Sequence, residues 1–542
     1  MRRCVTRLAG AAADVGTLKF DVVVVGGGAS GSLVAGRLAM ENLKTLVVEA
    51  GADVRQCPEW YHTLPASQLA HRVAQRGFEA TDTVTTPQRH HDGTTTAPVS
   101  IPVPRVLGGH GVMGSRTWSL GDERDWEGSP WSFREELLPR VRSFENMDVF
   151  VPHRGKRGKF LICRPQNFSP FFKAFCEAAS QDVPLLSEFT KKEFQLGCGC
   201  GRPDTFVDQS LGVANSTLQR YLLGAIKLNR PARVECGATV VGIRGSGAGG
   251  GGTSNSTSSA AGVTLRRADG QLVDVQSTLV VVCAGTIGSA RLLAASRGSI
   301  DVDAEVGQNF WDVPQVLVQY RVKNRDSHNC YFDPLVRQLL RLDLRYGRPP
   351  LSLRSSWDDL VLYWSSTGAT TPDVEIQFQP FTMGSDGVQP IAGEHGCQFT
   401  VRPVRPRSRG HVGADGTIDP NYLSHAADLA ALQRGVAYVK DCLAKKAPFV
   451  PILGPLVQER FESSGVNGGS CAGIVDPQSC RLQGVSNVYV CDHSILPSPL
   501  SGSTLPYTLT LADRFVDTLL KRREVRQKVE TDGDAGATRI VY

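Results

Sequence analysis

The chain has no run of eighteen or more uncharged apolar residues, so no membrane span is predicted. It has little excess charge: 59 basic against 53 acidic residues leave +6 over 542 residues. Nucleic-acid binding, which calls for a clustered basic face, is therefore not expected. Its 14 cysteines are scattered without an even-spaced framework, which suits a reducing compartment and free, mostly buried thiols. Cys198-Gly199-Cys200 has no second pair nearby to complete a zinc site, so no metal is expected. There is no internal repeat, and no Ser-His-Asp order at a nucleophile elbow, so hydrolysis is not indicated. The N-terminus lacks the long apolar stretch of a secretory signal. Arg2, Arg3 and Arg7, with no acid before Asp14, fit a short mitochondrial presequence and a plain extension equally well. Otherwise an intracellular, cytoplasmic protein is expected.

What the chain does have begins at residue 20. Residues 20–25 form an apolar, β-branched run of the kind that makes a buried parallel strand. Gly26-x-Gly28-x-x-Gly31 follows, then a helical stretch to about residue 40 and a second strand over 43–48, closed by Glu49. In such a βαβ unit Gly26 makes the tight turn, Gly28 lets backbone approach a pyrophosphate, and Gly31 lets helix pack close to strand. The helix N-terminus offers free N–H groups and the positive end of its dipole to the phosphates. Glu49, twenty-one residues after Gly28, can accept both ribose hydroxyls and argues against a 2′-phosphate. The unit predicts a bound dinucleotide, without separating FAD from NAD.

The remainder reads as helices over 133–144, 171–179 and 217–228, one strand over 233–243, buried strands over 279–283 and 487–491, and antiparallel alternation over 318–401. Residues 53–104 read as irregular loop or lid, and Gly/Ser-rich 245–262 as a flexible hairpin tip. Strands compatible with the dinucleotide unit occur early, midway and at the end. The expected fold is thus α/β: a discontinuous Rossmann-like domain (19–158, 212–316, 476–524) with an inserted mixed α+β substrate or cap domain (159–211, 317–475), an N-terminal extension (1–18) and a C-terminal tail (525–542).

Several segments resemble, in order and at family spacing from about residue 20 to 520, the glucose-methanol-choline (GMC) family of FAD-dependent oxidoreductases. Leu107-Gly108-Gly109 with Trp118, Gly121 and Trp126 resembles its first signature, and Ala284-Gly285-Thr286-Ile287-Gly288-Ser289 its second. Residues 238–243 resemble the strand that holds adenine, which maps to Val240. Val306-Gly307-Gln308-Asn309 with Asp312-x-Pro314, and residues 405–410 and 418–423, follow the family's order. Val475-Asp476-Pro477 through Asp492 resembles its closing strand, whose aspartate faces the ribityl chain and pyrophosphate. The resemblance implies FAD held by Gly26, Gly28, Gly31, Glu49, Leu107, Gly108, Gly109, Val240, Ala284 and Asp492. It also implies oxidation of a small-molecule alcohol at its CH–OH group.

The pattern breaks at the reaction site. Alcohol oxidation by a flavin needs a proton acceptor, and the resemblance implies a histidine for it, partnered by a second His or an Asn. Aligned on Gly469-Ser470-Cys471, the histidine position is Val466; aligned on Pro506, the partner position is Leu505. Neither side chain can carry a proton. Asn467 lies one position away, but an amide is no base. Gly114, His110 and Gly111 also depart from the first signature. Four readings follow. One is an oxidoreductase with a relocated base, for which His493 and His110 are candidates, each more often a packed histidine. Another is a redox-silent FAD protein serving as a scaffold, with protein partners. Base-free flavin chemistry is disfavoured because Val404 stands before Arg405-Pro406, where light-driven decarboxylases of the family carry a cysteine. A non-redox lyase is disfavoured because the family's lyases carry the missing histidine.

Overall fold

The computed structural model describes residues 14–56, 79–96, 99–114, 117–164, 170–186, 194–208, 213–214, 216–246, 258–323, 327–329, 335, 338, 360–382 and 395–522. The N-terminal residues 1–13 of the presequence reading, part of the lid segment, the Gly/Ser-rich tip over 247–257 and the whole C-terminal tail lie outside them. Among the described residues no helix is long and apolar enough to cross a membrane.

Two sheets organise the chain. The first has nine strands, and its centre is Lys19–Val25, where Val22, Val23 and Val24 are fully buried. Continuous burial of β-branched residues is what a strand covered on both faces requires. Thr45–Glu49 and then Ala232–Cys236 lie parallel on one side of it, and Leu272–Val282 and Val488–Val490 lie parallel on the other. The strand order therefore reverses at Lys19–Val25, which opens a crevice at its C-terminal end. Helices Ala29–Met40 and Thr504–Leu520 pack together beside the sheet. Arg37 ties them, meeting Asp513 at 2.6 Å and Asp517 at 2.9 Å.

The second sheet has seven strands in the order Leu453–Gly468, Trp311–Val322, Gly396–Pro403, Val374–Gln379, Leu360–Trp364, Gly199–Gly201, Leu185–Leu186. All neighbours are antiparallel except the last pair. Its alternation sorts residues to two faces. Val316, Val318, Ile376, Phe378, Phe399 and Val401 are fully buried on one face, where Phe175 and Phe449 pack at a tilt against the Phe378 ring. The other face carries Gln315, Gln377, Gln379, Gln398 and Thr400, and it looks into the cavity described below.

Three details differ from the expected pattern. The strand expected over 233–243 is two, Ala232–Cys236 and Thr239–Gly245, because Gly237 turns at φ +70° between them. The first joins the parallel core, and the second pairs antiparallel with Ala260–Arg266, so the Gly/Ser-rich stretch does connect two paired strands. The domain boundary expected at 316/317 falls inside Trp311–Val322, which belongs to the second sheet from its first residue. The irregular segment contains a ladder: Glu79–Thr83 pairs with Ser100–Pro104 and Gln88–Arg89 with Thr95–Thr96, around a turn at Asp92-Gly93 with Gly93 at φ +86°. An Asp-Gly pair is a strong hairpin signal, and it outweighed the polar composition.

Candidate functional site

A single cavity of about 1360 Å³ lies between the crevice of the first sheet and the polar face of the second. This exceeds the ~300–1,000 Å³ of an ordinary small-molecule pocket and leaves space for a long ligand with a second molecule beside it.

The floor is built by the glycine turn. Gly26 has φ +98°, and a Cβ there would meet the Cys283 carbonyl oxygen at 2.3 Å. A Cβ on Gly31 would meet the Gly26 carbonyl at 2.0 Å, so the helix can approach the strand only with glycine there. Gly28 differs: a Cβ would meet nothing within 4 Å, because that side of the residue is open cavity. Helix Ala29–Met40 starts there with no capping bond from its N-cap residue, whereas helix Gly285–Ala295, behind Ala284, starts with its first N–H bonded to the Asp492 carboxylate. Gly28, Ala29, Ala284 and Gly285 all line the cavity. The positive end of helix Ala29–Met40 thus opens on the trough, a setting for an anionic group, while the Asp492 carboxylate already occupies the start of helix Gly285–Ala295.

Acids sit on either side of this trough. Glu49 ends the second strand and accepts hydrogen bonds from the Gly27 N–H at 2.9 Å and the Gly51 N–H at 2.7 Å. Burial raises its pKa against the lowering by those two bonds. Val240 lines the same side. Across the sheet, Asp492 accepts from the Gly285 N–H at 2.9 Å, the Ser289 hydroxyl at 2.6 Å and the Ser494 N–H at 2.8 Å, and burial raises its pKa too. Gly109 lines the cavity, whereas Leu107 and Gly108 are buried behind the wall. Leu107 packs under Gly27, and the Gly108 N–H donates to the Gly27 carbonyl at 2.8 Å, so these two brace the turn from behind. The signature residues Trp118 and Trp126 are likewise buried: Trp118 donates to Glu145 at 2.8 Å, and Trp126 packs on Tyr507. Gly121 permits close backbone approach to Gly502, where a Cβ would meet the Gly502 nitrogen at 2.6 Å.

Val466 and Leu505 both line the cavity, on segments fixed by hydrogen bonds. Thr286 donates to the Asn467 carbonyl at 3.0 Å, and the Ser470 hydroxyl donates to the Thr286 carbonyl at 2.7 Å. Asp125 holds the start of the other segment through the Ser501 hydroxyl at 2.7 Å. His110 and His493 also line the cavity, close enough to influence each other electrostatically. The His110 side chain is accessible where it lines the cavity, and the protein packed around it supplies the burial that acts on its ring. Burial, then the proximity of His493, pushes it down to about 4. Burial pushes His493 down to about 4 as well, against bonds to the backbone of Thr504 and Asn467, and its Nε2 meets the Thr508 hydroxyl. Both imidazoles are therefore neutral at pH 7.

Two features escaped the sequence reading. Asp312 was noted only as part of a segment. It is buried, accepts from the Ser463 hydroxyl at 2.6 Å and from Tyr422, and is pushed up to about 7 by burial. The roof amides were read as one face of an antiparallel sheet, with nothing to show that the face was enclosed.

Comparison with known proteins decides the family. Residues 20–315 and 406–512 match the two sequence patterns described as GMC oxidoreductase. The chain belongs to the GMC oxidoreductase family. Among its relatives, an oxygen-dependent choline dehydrogenase from Staphylococcus xylosus is 25% identical, over 92% of this chain and 94% of the relative. An uncharacterised GMC-type oxidoreductase from Mycobacterium bovis is 27% identical, over 92% and 98%. Among solved structures, pyridoxine 4-oxidase from Mesorbium loti superposes with a TM-score of 0.74 at 19% identity, covering 93% of this chain and all (100%) of the other. A formate oxidase variant from Aspergillus oryzae, studied for its FAD modification, gives 0.76 at 19%, covering 93% and 99%. These likenesses establish the GMC oxidoreductase fold in this chain.

Proposed function

We propose that the chain binds FAD along the crevice and oxidises a small-molecule alcohol at its CH–OH group, slowly. The observation that carries this is the continuity of one cavity from Glu49 and Gly28 to Val466 and Leu505. Such a cavity holds a long cofactor and leaves its far end open to a substrate. The residues fit the group: Gly28 and the helix start at Ala29 would receive the pyrophosphate, Glu49 the ribose, Val240 the adenine and Asp492 the ribityl chain. Gly26, Gly31, Leu107 and Gly108 hold the turn in shape, while Gly109 and Ala284 complete the trough. Bound there, FAD supplies a two-electron acceptor for the hydride of a carbinol carbon.

The chain's own residues must take the hydroxyl proton. Val466 and Leu505 form an apolar wall at the two positions where the family's proton-handling pair is expected. His493 and His110 face the same space and take that part as relocated bases. Each is a weak base, because burial disfavours the imidazolium. A general base works best with a pKa near the working pH, and one held near 4 forfeits much of the usual ~10²–10⁴-fold contribution. Slow turnover follows. The apolar pair also favours a second reading, a redox-silent FAD protein with a scaffold role and a protein partner. The two part in an anaerobic absorption experiment. Flavin bands that bleach with an alcohol support oxidation. Bands that bleach with dithionite but with none of a broad alcohol panel support the silent reading. Nucleic acid has no part in either.

A further inference from the structure

Building on the alcohol-oxidising reading, we propose that the roof of the cavity selects a neutral, polyhydroxylated alcohol, with Gln315, Gln377 and Gln398 as the selecting residues. The cross-strand pairs Gln377 with Thr400 and Gln379 with Gln398 place four polar side chains side by side on the face that lines the cavity. Gln315 stands on the neighbouring strand, opposite Glu462. A sheet face covered by protein is ordinarily apolar, since each buried amide gives up bonds to water. Here the opposite face of the same strands is apolar, while the enclosed one sets a row of amides and a hydroxyl beside Val313 and Leu317, so this polarity serves what the cavity holds.

The hydrogen bonds leave specific valences open. The Gln319 amide donates to Gln398 Oε1 at 2.8 Å, and Gln398 Nε2 donates to Gln379 at 2.5 Å, which fixes the Gln398 side chain with one N–H to spare. Gln377 Nε2 donates to Glu375 at 2.6 Å, and Gln315 Nε2 to Glu462 at 2.7 Å. Among the described residues, neither Oε1 of Gln315 nor that of Gln377 has a protein partner. The face thus offers acceptors and a donor together, at fixed positions. A hydroxyl is both donor and acceptor, and a row of hydroxyls matches such a row of amides.

The carboxylates on this face are matched, while the buried Arg402 Nε has no hydrogen-bond partner among the described residues. Glu462 meets Arg460 at 2.9 Å, and Glu375 faces Arg402 at 3.9 Å while accepting from Gln377. Neither carboxylate is left to greet a quaternary ammonium, which separates this roof from what a choline site requires. An apolar alcohol fares poorly for another reason: it would strip water from the amides and return no hydrogen bonds.

The test uses the full-length, FAD-loaded protein without oxygen, titrated with sorbitol, 1-hexanol or choline. The shift of the flavin bands reads binding, and their bleaching reads oxidation. Sorbitol is expected to bind most tightly. Gln377→Leu, which removes the amide and leaves an apolar side chain, is expected to weaken sorbitol about tenfold, the scale of one hydrogen bond, and to leave 1-hexanol unchanged or tighter. Gln315→Leu, at a position less enclosed by protein, serves the same purpose if the first variant fails to fold. Tighter binding of 1-hexanol or choline, or sorbitol binding indifferent to both substitutions, overturns the selection. Sorbitol binding without bleaching upholds the selection and counts against oxidation. Bleaching by 1-hexanol without sorbitol binding does the reverse.

Discussion

The trough at the strand ends and the wall around Val466 belong to one cavity, yet they are built to different standards. In the trough each group that matters is fixed by backbone: Glu49 by two N–H donors, Asp492 by two N–H donors and a hydroxyl, the turn by glycines that tolerate no Cβ. At the wall the two positions where proton transfer is expected are apolar, and the nearby imidazoles are held neutral. Holding a dinucleotide and turning over a substrate are separable demands, and on the proposed reading this chain is built more fully for the first than for the second.

Breaking the trough has the largest expected effect. Gly28→Asp should abolish flavin binding while leaving the fold intact, because its Cβ has open space at a φ of −65° while its carboxylate occupies the anion site. A purified variant that remains yellow at full occupancy, read by absorbance, would sink the trough assignment.

Repairing the wall comes next. Val466→His with Leu505→Asn should raise the rate of flavin reduction by an alcohol, up to the ~10²–10⁴-fold a positioned base contributes. Stopped-flow absorbance reads this directly, and an unchanged rate would mean that proton removal is not what limits the wild type. A gain confined to the wall, with FAD affinity unchanged, would sharpen the contrast between the two regions.

Glu49→Ala tests the trough more gently. It strands the Gly27 and Gly51 N–H groups, at roughly 1–3 kcal/mol for each unsatisfied donor. Urea unfolding of the apoprotein should show the loss, and equilibrium dialysis a parallel drop in FAD affinity. Unaltered affinity would remove Glu49 from the cofactor's contacts.

The smallest effect concerns Asp312, beside the wall. Its folded pKa is raised from 3.8 to about 7, so the native state binds this proton more tightly than the unfolded chain does. Its contribution to stability is therefore whole below about pH 4 and declines as pH rises towards 7. Asp312→Asn should flatten that decline, with the variant gaining on the wild type across the window by up to a few kcal/mol, at about 1.4 kcal/mol per pH unit. Parallel urea midpoints for the two proteins at pH 5 and pH 7 would contradict the account.

The trough was readable in the sequence because its requirements are local. Gly26, Gly28 and Gly31 answer to backbone conformation and close approach within a few residues, and Glu49 ends a strand whose pattern is plain. The split at Gly237 was not, since a parallel strand and an antiparallel one share the same β-branched composition and only pairing separates them. Asp312 was passed over as a titrating group because its raised pKa comes from burial in the folded protein, opposed by bonds from Ser463, Tyr422 and Asn467, more than a hundred residues away in sequence. The roof amides illustrate the same limit. Alternation in Val374–Gln379 identifies two faces, but whether the polar one meets solvent or a cavity is decided by a different sheet. The wall was legible only by alignment to the family pattern, through Val466 and Leu505, while the enclosure that depresses His110 and His493 is a property of the folded whole.

The most direct test of the central claim is the anaerobic half-reaction of the FAD-loaded wild type, followed by absorbance in separate oxidised samples, one given dithionite and the other sorbitol. The account predicts rapid bleaching by dithionite and, with sorbitol, bleaching well below the ~10 s⁻¹ of a typical enzyme. Bleaching at tens per second would show that an effective base stands where Val466 and Leu505 are said to leave none, and would contradict it.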